Sequence, residues 1–266
     1  ANEYGKICGN YSLWSNLTIF WGCGTNLHRS PYNARNHEYY SEDAVLTSGQ
    51  AVAFISGGKE YGVIIAPKHL AFNDTEINRT GVSVFMTEQQ ARENELRGTQ
   101  AAIEDAGALG VMTAFNRVGI TATNAHTGLL KNILRGEWGF KGLESQDFIM
   151  NPNYAVLKEY ALNGGTMTTF TGENTMAAVS EKFAYWTTEN VGQDTELMSA
   201  IKQAMTWQAY ALANSNALDG MASSTRLVSV RTWYDNALVA VQVVFAALTV
   251  LAAAMYVLND RKSKKQ

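Results

Sequence analysis

This 266-residue chain is poor in metal-binding side chains, with two cysteines (Cys8 and Cys23) and four histidines. No CxxC pair accompanies the cysteines and the histidines form no cluster, so neither a metal nor any other cofactor is expected. The two thiols fit a disulfide or two buried free cysteines. Basic residues are few, 21 Lys and Arg against 24 Asp and Glu, and unevenly spread. The last eight residues, 259–266, hold four Lys or Arg against one Asp, a net +3, which leaves −6 on the rest of a chain of net charge −3. That body has no basic stripe and no aromatic-basic interleaving, so no nucleic-acid partner is expected. The chain also lacks internal repeats and low-complexity blocks. Its first residues, Ala1-Asn2-Glu3-Tyr4-Gly5, have neither the basic region nor the apolar core of a signal peptide.

One stretch lacks charge altogether. Residues 237–258 are 22 residues relieved only by Gln242, Thr249 and Tyr256. At helical rise they span ~33 Å, enough to cross a hydrocarbon core. Trp233 and Tyr234 precede the run as an interfacial belt would, and Arg261, Lys262, Lys264 and Lys265 follow it. The excess of basic residues places the tail in the cytoplasm and the body outside. The organisation expected is a globular region over 1–214, a linker over 215–236, a single-pass transmembrane helix over 237–258 and a basic cytoplasmic tail over 259–266. The protein is accordingly expected in the cell membrane.

Ahead of that helix, strands and helices alternate. Residues 3–16 read as a helix with Tyr4, Ile7, Cys8, Tyr11 and Trp14 on one face. A strand follows at Thr18 to Asn26. Ser41-Glu42-Asp43 opens a helix reaching about Gly57, with Glu42 and Asp43 as caps. Val63 to Ala66 is a short apolar strand ending at Pro67-Lys68-His69. Thr87-Glu88-Gln89-Gln90 begins a helix with a capping-box pattern. Gly110 to Phe115 and Gly142 to Gln146 are further strands, separated by an amphipathic helix over Ala125 to Glu137. Pro152 to Asn163 reads as helix, Gly164 to Thr168 as a last strand, and Thr195 to Asn214 as a last helix. This alternation predicts an α/β fold with a parallel sheet and right-handed crossovers. About five strands, where eight close a (β/α)8 barrel, make it a partial TIM (β/α)8-type barrel.

Polar groups collect after the strands: His28, Arg29, Arg35, Asn36, His37 and Glu38 after the first, then Lys68, His69, Asn73, Asp74, Glu76 and Arg79 after the second. Asn116 and Arg117 follow the third, and Asp147 the fourth. In a barrel, that side of the sheet is one surface and carries the active site. Asp147 reads either as a nucleophile or as an ordinary helix N-cap. A surface rich in Arg, Lys, His and Asn with a carboxylate suits a polyhydroxylated ligand, and glycosidic cleavage needs two carboxyls.

The segments that carry these groups form a recognisable series. Leu27-His28-Arg29-Ser30-Pro31 and Ala34-Arg35-Asn36-His37-Glu38-Tyr39-Tyr40-Ser41-Glu42-Asp43 resemble the NIHRxP…GRNxEYYSEDP signature of family 3 glycoside hydrolases. Pro67-Lys68-His69-Leu70-Ala71-Phe72-Asn73-Asp74-Thr75-Glu76 with Asn78-Arg79 is similar to PKHFAxNxxExNR. Val111 to Asn116 is similar to VMSAYN, and Leu134 to Gly142 to LRxEWGFxG, which runs into a strand ending SDW. The resemblance implies that Asp147 is the catalytic nucleophile of a retaining, exo-acting β-glycosidase. It also implies that Arg35, Lys68, His69, Arg79 and Phe115 line the sugar site, and that Arg29 supports the loop. Lys68-His69-Leu70-Ala71-Phe72, in place of the KHxPG loop of the N-acetylglucosaminidases, implies the β-glucosidase branch. The substrate implied is a β-linked oligosaccharide or glycoside.

Several positions depart from the pattern. Phe115 stands for Tyr, Ala34 for Gly, Ser145-Gln146-Asp147-Phe148 for SDW, and Glu144 brings a charge into a buried strand. The family's earlier strands with their DGP motif, and the sandwich domain that supplies the acid/base Glu, have no counterpart here. The resemblance therefore implies a fragment of a longer membrane-anchored enzyme, its missing barrel strands and sandwich domain coming from upstream sequence. The alternative is a catalytically degenerate, membrane-tethered carbohydrate-binding module.

Overall fold

The structure is a computed structural model that describes residues 1–148, 156–169, 186–218 and 233–264. It divides into two units, Ala1–Asp219 and Gly220–Gln266.

The first unit is built on a four-stranded parallel sheet in chain order: β1 (Ile19–Gly24), β2 (Ile64–Leu70), β4 (Gly110–Thr113) and β7 (Leu143–Gln146). The short strands β3 (Ser83–Val84), β5 (Arg117–Val118) and β6 (Thr121–Ala122) form a separate small sheet. Alternate residues of the main strands point to opposite sides. Ile65 and Val111 join a core with Phe54, Ile55, Ala102, Leu130 and Leu134 from the helices. Ile64 and Leu143 face the other way, toward Ala211.

Helix α1 (Asn2–Trp14) lies against α2 (Ala44–Lys59). The apolar face that the sequence marks out is not the packed one. Gly5, Cys8, Gly9 and Ser12 are buried, whereas Tyr4, Ile7, Tyr11 and Trp14 are 62%, 64%, 60% and 83% exposed. Small residues win because the two backbones approach closely: a Cβ on Gly5 would collide with the Phe54 carbonyl, and one on Gly57 with the Asn2 carbonyl. Both cysteines are buried and free, so of the two readings the paired one is set aside. Asp43 alone caps α2, accepting a 2.6 Å hydrogen bond from the Leu46 amide.

Strand β2 runs on through Pro67, Lys68 and His69 instead of ending at them. Pro67 has no N–H to give, and it sits where the register with β1 slips, between the pairs Ala66–Trp21 and Lys68–Gly24. Lys68 and His69 are thus held in the sheet rather than in a loop. The helical stretch after Thr87, whose hydroxyl accepts from the Gln90 amide at 3.2 Å, comes in three pieces: α3 (Glu88–Gln90), a π-helix (Ala91–Glu95) and α4 (Arg97–Glu104). The expected helix before β7 is a π-helix, Gly128–Glu137.

After β7, α5 (Leu157–Leu162) accounts for the end of the helix expected from Pro152, and residues 152–155 lie outside the described ones. The strand expected at Gly164 to Thr168 is reduced to one parallel bridge, Ser145 to Met167. Helices α6 (Thr188–Gln193) and α7 (Thr195–Ala213) complete the unit, α7 capped by Asp194. A bridge from Tyr39 to Gly24 is the sole pairing on the outer edge of β1 among the described residues.

The second unit contains α8 (Trp233–Ser263), which begins ahead of the apolar run and continues past it into the basic tail. Its Trp233–Leu258 portion is long and apolar enough to cross a membrane by length and composition. Most of the linker expected over 215–236 lies outside the described residues.

Candidate active site

The parallel strands end on one side, and the chain leaving each brings charged groups there. Leaving β1, the chain turns back so that Tyr39 bridges to Gly24, which carries Arg35 and Glu38 to the strand ends. The loop is tied by His28, whose Nε2–H donates to the carbonyls of Asn36 (2.9 Å) and Tyr39 (3.1 Å). Arg29 pairs with Glu95 and Asp74, so it supports the loop.

Arg35 meets Glu38 through two parallel hydrogen bonds of 2.8 and 2.7 Å, and Lys68 reaches the same carboxylate at 3.2 Å. The bidentate Arg35 contact, with the Lys68 charge beside it, holds Glu38 down to about 2. Glu76 links Arg35 (3.4 Å) to Arg79 (2.9 Å), and the Arg79 guanidinium stacks 4.3 Å from the centre of the Phe115 ring. Arg35, Lys68 and Arg79 are therefore fixed in place by two carboxylates, Glu38 and Glu76. Phe115 is buried beneath Arg79 as its platform.

His69 sits under this network, 2% exposed. Asn26 grips its backbone from both sides, accepting from the His69 amide and donating to its carbonyl, each at 2.9 Å. Arginine is a donor only, so the 3.2 Å contact from Arg35 Nη2 makes His69 Nε2 an acceptor. The proton then sits on Nδ1, facing Asn26 Oδ1 at 3.3 Å and the Tyr39 hydroxyl at 3.4 Å. Burial, and next the Arg35 and Lys68 charges, push the imidazole pKa well below its ordinary value, so the ring is neutral.

Asp147 follows β7 and continues its ladder, its amide donating to the Thr113 carbonyl at 3.2 Å. It is 9% exposed. Oδ1 accepts from the Phe148 amide at 2.8 Å, and Oδ2 lies 3.5 Å from His69 Nε2. With His69 neutral this second contact is no ion pair. Burial raises the Asp147 pKa, while the Phe148 amide and the charges of Arg79, Arg35 and Lys68 oppose the rise. Residues 149–155, where a helix capped by Asp147 would open, lie outside the described residues.

The structure thus gathers Arg35, Lys68, His69, Arg79, Phe115 and Asp147 into one network. It adds Asn26 and Tyr39, which the sequence did not single out. Asn26 lies two residues past a strand that ends in glycine, a weak signal that gains meaning only through its contact with His69. Among the described residues, no three His, Cys, Asp or Glu side chains gather in a way that could hold a metal ion. A separate cavity of about 480 Å³, walled by Phe72, Val84, Met86 and Leu129, shares none of these residues.

Charged and polar side chains converging beyond the carboxyl ends of a parallel α/β sheet define a barrel-type ligand site. A model of the glycosyl hydrolase family 3 N terminal domain matches residues 2–180, and the chain belongs to that family. It is 41% identical over 144 residues to a β-glucosidase of Rhizobium radiobacter, covering 54% of this chain and 18% of that protein. A β-glucosidase of Bacteroides ovatus is 34% identical over 148 residues, 56% of this chain and 20% of that one. The chain therefore spans about a fifth of the length of these curated relatives. Among solved structures, β-glucosidase 3B from Thermotoga neapolitana in complex with α-D-glucose superposes with a TM-score of 0.72 at 26% identity, covering 82% of this chain and 30% of that one. A β-glucosidase from Paenibacillus barengoltzii gives 0.73 at 25% identity, covering 85% and 25%.

Proposed function

We propose that the complete protein is a retaining, exo-acting β-glycosidase of the β-glucosidase type, with Asp147 as its nucleophile. The observation that carries this reading is the position of Asp147, at the end of β7 and facing His69 within the Arg35–Glu38–Lys68–Glu76–Arg79 network. Arg35, Lys68, Arg79 and the His69 ring hold the hydroxyls of the terminal sugar, and Phe115 keeps Arg79 in plane. A carboxylate oxygen of Asp147 attacks the anomeric carbon as the bond to the leaving oxygen breaks. That oxygen takes a proton from a general acid, and water then releases the sugar with its configuration retained. The three cations favour the ionised carboxylate the attack requires.

The acid/base group comes from outside this chain. Glu38, held down to about 2 by Arg35, is ionised at neutral pH and cannot donate the proton. The open outer edge of β1 and the exposed face of α1 support the remaining strands being supplied by upstream sequence. Helix α8 anchors the protein in the cell membrane, with the globular unit outside and the basic tail in the cytoplasm.

The test is trapping with a 2-fluoro glycoside. A covalent adduct on Asp147 in the complete protein, and loss of glycoside hydrolysis on the order of 10⁴-fold or more in Asp147→Ala, are expected. A second reading, a carbohydrate-binding module without catalysis, is favoured by the burial that works against ionisation of Asp147. Sugar binding with no adduct would establish that reading.

A further inference from the structure

Glu144 lies on β7, three residues before Asp147, and is 1% exposed. Neither carboxylate oxygen has a hydrogen-bond partner. The groups around it come from three elements, and all are committed elsewhere. From the π-helix, Arg135 gives its guanidinium to backbone carbonyls: Gly164 (3.2 and 2.7 Å), Phe140 (3.0 Å) and Gly142 (2.8 Å). It is also stacked 3.8 Å from the Trp207 ring. From α5, Tyr160 points its hydroxyl at the backbone carbonyls of Glu144 (2.9 Å) and Met167 (2.8 Å). From β4, the Thr113 hydroxyl donates to the Ser145 carbonyl at 3.4 Å.

Arg135 thus supplies a field but no bond. An ionised carboxylate at this place needs acceptor sites filled and finds them empty. Burial outweighs the opposing pull of the Tyr160 hydroxyl, the Arg135 charge and the Thr113 hydroxyl toward the ionised form. The backbone carbonyl of Glu144 receives the amides of Thr166 (3.1 Å) and Met167 (3.0 Å), which is how the segment beyond α5 attaches to the sheet. The side chain without a partner therefore sits at the joint between β7, that segment and Asp147.

We propose that Glu144 is a proton-dependent latch on β7, neutral when the 164–167 segment and Asp147 are firmly held, and loosening both when it ionises. Burial raises this carboxyl from the ordinary 4.5 to about 7, which puts the transition in a physiological range. With the folded value raised, the stability it contributes is full below about pH 4.5 and is lost as pH rises through about 7.

The full chain, held in detergent micelles, is melted between about pH 5 and pH 8, as wild type and as Glu144→Gln, which mimics the neutral carboxyl. The wild-type Tm is expected to fall by several degrees across this range. The variant should lose that component and melt above the wild type at pH 8. Parallel Tm curves for the two proteins would overturn the proposal. A direct readout covers the case in which the variant does not fold: isotope-edited infrared spectra of wild type with labelled glutamate carboxyls. A protonated-carboxyl band persisting at pH 6 supports the latch, and full ionisation of every glutamate by pH 5.5 overturns it. Neither readout involves glycoside chemistry, so failure here leaves the role of Asp147 standing.

Discussion

Glu38 illustrates how a single carboxylate can organise a cluster of cations. It fixes Arg35 bidentately and Lys68 through one oxygen, so removing its charge loosens both and leaves Arg35 with Glu76 as its carboxylate partner. Its folded pKa, about 2, lies below the unfolded value, so the stability it contributes is present above about pH 4.5 and lost as pH falls through about 2. Glu38→Gln is expected to flatten the acid limb of a stability-against-pH curve, followed by denaturant unfolding. Asn26 acts in the same manner on His69, but through the backbone. Two opposed hydrogen bonds set where the imidazole sits, and Arg35 then decides which nitrogen carries the proton. Lys68 and His69 are both held inside β2, so the sheet fixes the backbone from which each side chain projects.

At the scale of elements, the contact of α1 with α2 is the clearest case of small residues deciding a packing arrangement. Gly5 and Gly57 allow the backbones to meet, and the larger aromatic residues of α1 are left outward. Gly5→Leu is expected to destabilise the first unit by roughly 1–3 kcal/mol, because overpacking forces the helices apart, and chemical denaturation would measure it. The same contact holds α2 over the sheet, where Phe54 and Ile55 cover Ile65. Strand β7 shows the opposite strain on design. It presents Leu143 toward Ala211 and buries Glu144 on the other side, so an element that positions Asp147 also carries a buried carboxyl without a hydrogen-bond partner.

At the scale of the whole molecule, the main sheet has four strands among the described residues, where a closed (β/α)8 barrel needs eight. The outer edge of β1 and the stripe of Tyr4, Ile7, Tyr11 and Trp14 are surfaces that an adjoining strand and helix would cover. Helix α8 is a separate matter of solvent. Deleting residues 233–266 is expected to move the protein from the membrane fraction to the soluble fraction on ultracentrifugation. Retention of the shortened chain in the membrane fraction would refute anchoring by this helix.

Much of this was legible in the sequence for a physical reason. Strand and helix periodicity, the Asp43 and Thr87 caps, and the apolar length of α8 are local properties, and a chain read in order displays them. The side of the sheet on which Arg35, Lys68, His69, Arg79 and Asp147 gather was also legible, because parallel strands must all end on one side. What only the tertiary structure decided is contact between distant residues. Which face of α1 is buried depends on how closely α2 approaches. The tautomer of His69 depends on Asn26 and Arg35, 43 and 34 positions away along the chain. The missing partner of Glu144 depends on where Arg135 and Tyr160 spend their hydrogen bonds. Composition and spacing determined which groups stand at the strand ends. The fold determined which of them touch, and touching sets charge, protonation and hence chemistry.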